Sequence, residues 1–169
     1  MKYDFLGSAY INTSSKELHR SLLSIKEQTL KPNKVILVID GPLSFNLDEV
    51  LKHFQKFLKI HILNLDKNYG LGTALRKGLR LCSSKYVLRF DSDDFNLPKR
   101  AEIQIKYMES GNYDISSTWI YEFLNEPENI LQVKKIPLSQ ENIKRMLPYR
   151  NPFNHPSICF KLNQIINLD

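Results

Sequence analysis

Residues 34–40, KVILVID, constrain the fold of this chain more than any other stretch. Val35 to Ile39 are all β-branched residues or leucine, with no polar alternation among them. Such a run belongs to a strand covered on both faces, and strands of that kind sit inside parallel sheets connected by crossover helices. The flanking sequence supplies those helices. YDFLGSAY (3–10) reads as a first strand, and NTSSKELHRSLLSIKEQ (12–28) as a helix opened by Ser14 and Glu17 at capping-box spacing, with Leu18, Leu22 and Ile25 on one face. A second helix carries Leu47, Val50, Leu51, Phe54 and Phe57 on its inner face, and IHILNL (60–65) forms a third strand. A third helix runs from Gly70 to Leu81 with Leu71, Leu75 and Leu79 aligned, and KYVLRF (85–90) is the fourth strand. Strict β/α alternation of this kind predicts an α/β fold with a mostly parallel central sheet flanked by helices.

Beyond Asp94 the pattern changes. Pro98 suits the start of a helix reaching about Ser110, with Ala101, Ile105 and Met108 facing inward. YDISSTWIYEFL (113–124) reads as one strand and ILQVKKI (130–136) as its partner across the turn NEPEN. A short helix near Ser139–Leu147 leads into the proline-rich PYRNPFNHPS (148–157). No linker or repeat divides the chain, so a single domain is expected over residues 1–169.

Composition narrows the function classes. With 42% hydrophobic and 25% charged residues the chain is expected to be a soluble globular protein. Its longest apolar run is too short to span a bilayer, and the N-terminus lacks the apolar core of a signal peptide, so a cytoplasmic location is expected. Cys82 and Cys159 stand apart without metal-ligand spacing and read as buried, reduced thiols. A net charge of +6 favours anionic ligands or an acidic membrane surface, but the basic residues form no dense block, which argues against nucleic acid.

In open α/β sheets, ligands bind beyond the carboxyl ends of the strands. Those ends here are Ser8–Tyr10, IDGP (39–42), LDKNYGLG (65–72) and DSDD (91–94), each polar or glycine-rich, which fits one shared site or simply four solvated loops. DSDD places three carboxylates within four positions, and like charges that close call for a positive partner. In extended backbone Asp91 and Asp93 would share a face and converge on one hard divalent cation, Mg²⁺ or Mn²⁺, with phosphate oxygens completing the shell. Asp94 would point elsewhere and cap the helix near Pro98. The alternative is that all three are solvated caps of a turn.

The order of SAYINTSSKELHRSLLSIKEQTLKPNKVILVIDGP (8–42), NYGLGTALRKGL (68–79), YVLRFDSDD (86–94) and NPFNHPS (151–157) resembles the family 2 glycosyltransferases of the GT-A fold. The likeness is to the bacterial enzymes that build capsule, exopolysaccharide and lipopolysaccharide chains, and it runs over essentially the whole chain. It implies a nucleotide-sugar-binding half over residues 1–96 and a partial acceptor-side half over 97–169. Ser8 then lies in the donor site, Tyr10 packs on the nucleotide base, and Asp40 hydrogen-bonds a uracil ring. Arg76 falls near a base- or phosphate-contacting basic segment, Asp91 near the ribose and metal, and Asp93 at the direct metal ligand. Asn151 and His155 match a segment facing the acceptor. Packed or solvated roles stay open for Tyr10, Arg76 and His155, and an ordinary turn for Asp40 before Gly41.

The implied reaction is inverting, metal-assisted transfer of a sugar from a nucleotide diphosphate, with UDP expected, to a glycan or lipid-linked acceptor hydroxyl, with peripheral contact at the inner face of the cytoplasmic membrane. A carboxylate must act as general base. The family's base lies well after the NPFNHP-like segment, whereas this sequence closes on LNQIINLD (162–169); Glu122 and Glu126 match nothing in that motif, and the last residue, Asp169, is expected to be too mobile to serve. The expectation is a truncated donor-binding portion, either an enzyme active alone or with a supplied C-terminal part, or a non-catalytic nucleotide-binding remnant. A sugar nucleotidyltransferase is the third reading, but SAYINTSS is not the glycine-rich basic loop such enzymes carry after their first strand.

Overall fold

A computed structural model describes residues 1–166. The predicted alternation is present: β1 (Tyr3–Ala9), α1 (Ser15–Lys26), β2 (Lys34–Ile39), α2 (Phe45–Phe54), β3 (Ile60–Asn64), α3 (Leu71–Leu79), β4 (Tyr86–Arg89) and α4 (Arg100–Ser110). After these come β5 (Ile115–Ser116), β6 (Ile120–Phe123), β7 (Ile130–Lys134), α5 (Gln140–Met146), a 3₁₀ turn (His155–Ser157), β8 (Cys159–Lys161) and α6 (Leu162–Ile166).

The main sheet has the order β3-β2-β1-β4-β8-β5. β1 pairs in parallel with β2 on one side and with β4 on the other, so the chain reverses its direction of progression between β1 and β4. That switch point opens a crevice beyond the carboxyl ends of both strands, beside Tyr10 and Asp91. β2 is buried on both faces as its sequence requires. Val35, Leu37 and Ile39 pack with Leu18, Leu22, Leu47, Leu51 and Phe54, while Ile36 and Val38 join Leu6, Ala74 and Val87 on the opposite side.

The sequence misplaces several details. α2 ends at Phe54, and Phe57 is left 53% exposed with the Lys26 ammonium 4.1 Å from its ring centre. On α3, Leu71 is exposed, whereas Leu75 and Leu79 are half-buried against the core as expected, and the residues fully buried against the sheet are Ala74 and Gly78. A Cβ on Gly78 would lie 2.6 Å from Val38 Cγ2 and 2.7 Å from Leu6 Cδ1, so the closest approach of the helix to the sheet needs a glycine there. Gly78→Ala is therefore expected to destabilise the fold by about 1–3 kcal/mol through overpacking, read as a lower urea midpoint at unchanged slope.

The stretch read as one strand over 113–124 divides between two sheets. β5 joins the main sheet, while β6 forms an antiparallel hairpin with β7. The break falls at Ser117–Thr118, whose polar groups are taken by the NPFNHPS segment. Thr118 N–H donates to Ser157 Oγ at 3.0 Å, and Asn154 Nδ2 donates to Thr118 O at 2.9 Å. β8, which the sequence did not suggest, slots antiparallel between β4 and β5. The Ser14 cap is present, its Oγ accepting from Glu17 N at 3.4 Å, whereas α4 starts at Arg100 behind Lys99 with no side-chain cap. Asp94 therefore does not cap that helix. Both cysteines are buried free thiols.

Candidate donor site

The ends of β1, β2 and β4, with the loop after β3, enclose a cleft of about 520 Å³. It gathers five of the residues singled out in the sequence: Ser8, Tyr10, Asp40, Asp91 and Asp93. Glu17, Asn12, Thr13 and Asn68 also line it. None was picked out as a site residue, although Asn12, Thr13 and Asn68 lie on the βα connections after β1 and β3, where the strand-end rule points, and Glu17 lies in the first turn of α1. Arg76 sits on an exposed face of α3 and is not among the lining residues, and neither are Asn151 and His155.

Each wall has a local cause. After β1 the chain turns through a tight loop in which Thr13 N–H donates to Tyr10 O at 2.9 Å and Tyr10 N–H to Thr13 Oγ1 at 3.0 Å. The Tyr10 ring stays 44% exposed at the rim. Asp40 is 5% exposed, and both of its carboxylate oxygens accept backbone N–H groups at 2.8 Å, from Tyr69 and from Gly70. It thus fastens the β3–α3 loop to the end of β2. Gly41, at φ +99°, brings its backbone against that loop, where a Cβ would meet Asn68 N at 3.1 Å.

The acid cluster is not extended. Asp94 N–H donates to Asp91 O at 3.2 Å, closing a turn over Ser92 and Asp93, so strand alternation does not govern where these carboxylates point. Asp91 and Asp93 reach the cleft nevertheless. The positive partner that the crowded charge demanded is the chain's own Arg89, buried at the end of β4, which pairs with Asp91 Oδ1 through Nη2. Arg20 contributes from α1, its Nη2 donating to Asp93 O at 3.4 Å, while its Nη1 holds Asn125 O at 2.9 Å at the tip of the β6–β7 hairpin. Burial, reinforced by the charges of Asp91 and Asp93, pushes the Asp94 carboxyl up to about 6 against the pull of Arg100 and Arg89.

That shift has a signed consequence. Because the folded pKa of Asp94 lies above its ordinary 3.8, its ionisation lowers stability as pH rises from 3.8 to about 6, and the loss persists at higher pH. Asp94→Asn is expected to stabilise the metal-free chain at about pH 7.5 by up to about 3 kcal/mol, at 1.36 kcal/mol per pKa unit. The gain should vanish near pH 3.5 to within about 0.5 kcal/mol. Urea unfolding at the two pH values measures both.

Among the described residues no group of three or more His, Cys, Asp and Glu side chains is gathered that could hold a metal by itself. The donors that are present still suit a hard cation. Asp93 offers an exposed carboxylate, and Asp91 an oxygen, Oδ2, that has no bond among the described residues. An ion held by these two acids requires its remaining oxygens from a ligand's phosphates and from water, which is the usual arrangement for Mg²⁺.

Acids further along the chain are committed elsewhere. Glu126 pairs with Lys16 and with Arg20 at 3.6 Å, and Glu122 with Lys134 at 3.6 Å and with Gln132. Asp169 lies outside the described residues. Asn151 is exposed and accepts Phe153 N–H at 3.0 Å, whereas the half-buried His155 meets Arg89. Burial, and then the charge of Arg89, hold the His155 imidazole below its ordinary range, with Asp91 pulling the other way.

Comparison with known proteins bears on the family and the fold. Residues 9–166 match the family described as Glycosyl transferase family 2. The chain is 36% identical over 168 residues to an Escherichia coli UDP-Gal:alpha-D-GlcNAc-diphosphoundecaprenol beta-1,3-galactosyltransferase, covering 99% of this chain and 61% of the relative. It is 36% identical to the amylovoran biosynthesis glycosyltransferase AmsE of Erwinia amylovora, covering 98% and 62%. The chain thus spans about three-fifths of the length of these curated relatives. Among solved structures, S. aureus TarS 1-349 in complex with UDP superposes with a TM-score of 0.76 at 16% identity over 99% of this chain and 48% of that one. The mannosyltransferase PcManGT from Pyrobaculum calidifontis, in complex with GDP-Man and Mn²⁺, gives 0.70 at 14% identity over 99% and 46%. These structural likenesses establish the GT-A fold. With a family match across nearly the whole chain, and relatives more than a third identical over almost its full length, the chain belongs to glycosyl transferase family 2.

Proposed function

We propose that this chain forms the donor-binding part of an inverting glycosyltransferase that moves a sugar from a UDP-sugar to a glycan or lipid-linked acceptor in the synthesis of a bacterial surface polysaccharide. The observation that carries the reading is the convergence of Tyr10, Asp40, Asp91 and Asp93, from three different strand ends, on one cleft at the switch point of the sheet. The E. coli relative, named for UDP-Gal and a diphosphoundecaprenol acceptor, supports the donor and the acceptor class, and the TarS complex with UDP-GlcNAc supports a uridine nucleotide. The manganese complex of PcManGT supports a metal-dependent site, with Mn²⁺ or Mg²⁺ at Asp93 and Asp91.

In this reading Tyr10 stacks on the base at the rim, Asp40 holds the loop beneath it, and Ser8 lies on the floor. Residues 1–96 make up the donor half and residues from 97 onward the acceptor side. A divalent cation bound there supplies Lewis-acid stabilisation of the charge developing on the departing diphosphate. The acceptor proton needs a carboxylate base. Neither Glu122 nor Glu126 lines the cleft, and each stands in an exposed ion pair, so a second reading has the chain bind the donor without transferring the sugar. Peripheral membrane contact stays within the proposal on the grounds of the net positive charge and a lipid-linked acceptor, and no helix among the described residues is long and apolar enough to cross a membrane.

Titration calorimetry of UDP, GDP and CDP, each with and without Mn²⁺, tests the reading. Tighter binding of UDP than of the other two, dependent on Mn²⁺, is expected. Equal weak binding of all three would overturn it. Transfer or hydrolysis of a UDP-sugar by the purified chain then separates the enzyme from the remnant.

A further inference from the structure

Arg89 is an unusual side chain for the centre of a parallel sheet, 3% exposed and bonded to four separate acceptors. Its Nη1 donates to Leu6 O of β1 at 3.0 Å and to Phe90 O at 2.8 Å. Its Nη2 donates to Asp91 Oδ1 and meets His155 Nδ1 at 3.3 Å. All four outer protons of the guanidinium are thereby used, while Nε is buried without a partner among the described residues. The backbone N–H of Arg89 adds a fifth link, to Ile158 O at 2.8 Å, just past the 3₁₀ turn that carries His155.

The chemistry of this junction is directional. A guanidinium only donates, so Nδ1 of His155 must present its lone pair, and the ring is then the neutral tautomer with its proton on Nε2. Asp91 is held by one oxygen, which anchors that end of the carboxylate and leaves the other oxygen without a bond among the described residues. A residue needed only for packing would be apolar here, because a buried guanidinium with an unpaired Nε is costly. Lysine could not replace it, since one ammonium carries three protons and no planar fork.

We infer that Arg89 is a positioning residue that sets two functional side chains at once, aiming Asp91 into the cleft and fixing His155 as the Nε2–H tautomer, so that the acid turn and the Asn-Pro-Phe-Asn-His-Pro segment act as one unit. The inference rests on the reading of the cleft as the donor site, and it makes the geometry of Asp91 depend on a segment that does not line that cleft.

The test has a spectroscopic arm and a binding arm. In long-range ¹H–¹⁵N spectra of the wild-type chain at about pH 8, His155 is expected purely as the Nε2–H form, and in Arg89→Lys as a mixture of tautomers. Affinity for UDP with Mn²⁺ is expected to fall about tenfold in Arg89→Lys, the scale typical of residues that orient a metal ligand. In an Asp91→Asn background the same change should cost less than about twofold, because the pathway through Asp91 is already lost. An Nδ1–H tautomer in the wild type, an unchanged histidine signal in Arg89→Lys, or full additivity of the two substitutions would overturn the inference. If Arg89→Lys does not fold, His155→Ala combined with Asp91→Asn replaces it, with non-additive losses expected and additive ones overturning. Absence of UDP binding to the wild type removes the donor reading, and the histidine spectrum then decides the clamp alone.

Discussion

Asp93→Ala is expected to abolish the Mn²⁺-dependent part of UDP binding while leaving the fold intact. Asp93 is exposed on the cleft, and the bond recorded there uses its backbone oxygen, accepting from Arg20. Removing a side chain with no structural bond should change stability by less than about 0.5 kcal/mol. If that carboxylate is the cleft's direct hold on the cation, its loss removes several kcal/mol of attraction for the diphosphate, equivalent to a loss of affinity of about 100-fold or more. In calorimetry, UDP affinity with Mn²⁺ should drop to the level seen without it, and the thermal midpoint should move by no more than about 2 °C. Unchanged affinity would sink the metal assignment. Asp91→Ala is a poorer probe of the same idea. It would leave the buried Arg89 charge without its carboxylate, and breaking a buried pair costs about 3–5 kcal/mol whatever the ligand.

The contrast between these two acids shows where the sequence stops being legible. The sheet and its first three helices could be read because KVILVID admits only one environment and each helix carries its own period. The strand-end rule pointed to Tyr10, Asp40, Asp91 and Asp93, and the topology brings all four to one cleft. What could not be read was long-range. β8 is only three residues long, too short to show a period, and it exists because its backbone finds edges on β4 and β5. Arg89 carries no signal of its own within YVLRF, because its pairing with Asp91 depends on contacts with β1 and with the turn at His155. Asp94 illustrates the same limit. Its proximity to Pro98 suggested a cap, but burial among Asp91, Asp93 and Arg100 governs its charge instead. Arg76 stands outside the cleft lining on an exposed face of α3, and motif position does not say which face of a helix a residue occupies.

Asp40→Ala is expected to lose both stability and nucleotide selectivity, and the structure separates the two. The carboxylate accepts the Tyr69 and Gly70 N–H groups at 2.8 Å, and Gly70 N–H also reaches Asn68 Oδ1 at 3.0 Å, so truncation leaves the Tyr69 donor without its acceptor in a partly buried loop. Hydrogen bonds to a charged acceptor contribute about 1.5–3 kcal/mol each, and with Asn68 retaining the Gly70 donor the predicted loss is about 2–4 kcal/mol. At about 2–4 °C per kcal/mol for a domain of this size, the thermal midpoint should fall by about 4–16 °C. Gly70, at φ +85°, is the N-cap of α3 with no side chain to cap the helix, so Asn68 is what holds the helix start once the carboxylate is gone. The freed loop carries Asn68, Gly70 and Leu71 of the cleft wall. UDP should therefore weaken more than bare pyrophosphate, because the loop borders the Tyr10 end of the cleft, where the base is proposed to stack, while the acid turn of Asp91 and Asp93 is anchored independently by Arg89 and Arg20. Asp40→Asn keeps one acceptor but turns an amide N–H₂ towards one of the two backbone donors, so it should fall between wild type and alanine in stability. Equal losses of UDP and pyrophosphate affinity in Asp40→Ala, measured well below its melting transition, would remove any base-reading role and leave Asp40 as an anchor for the loop alone.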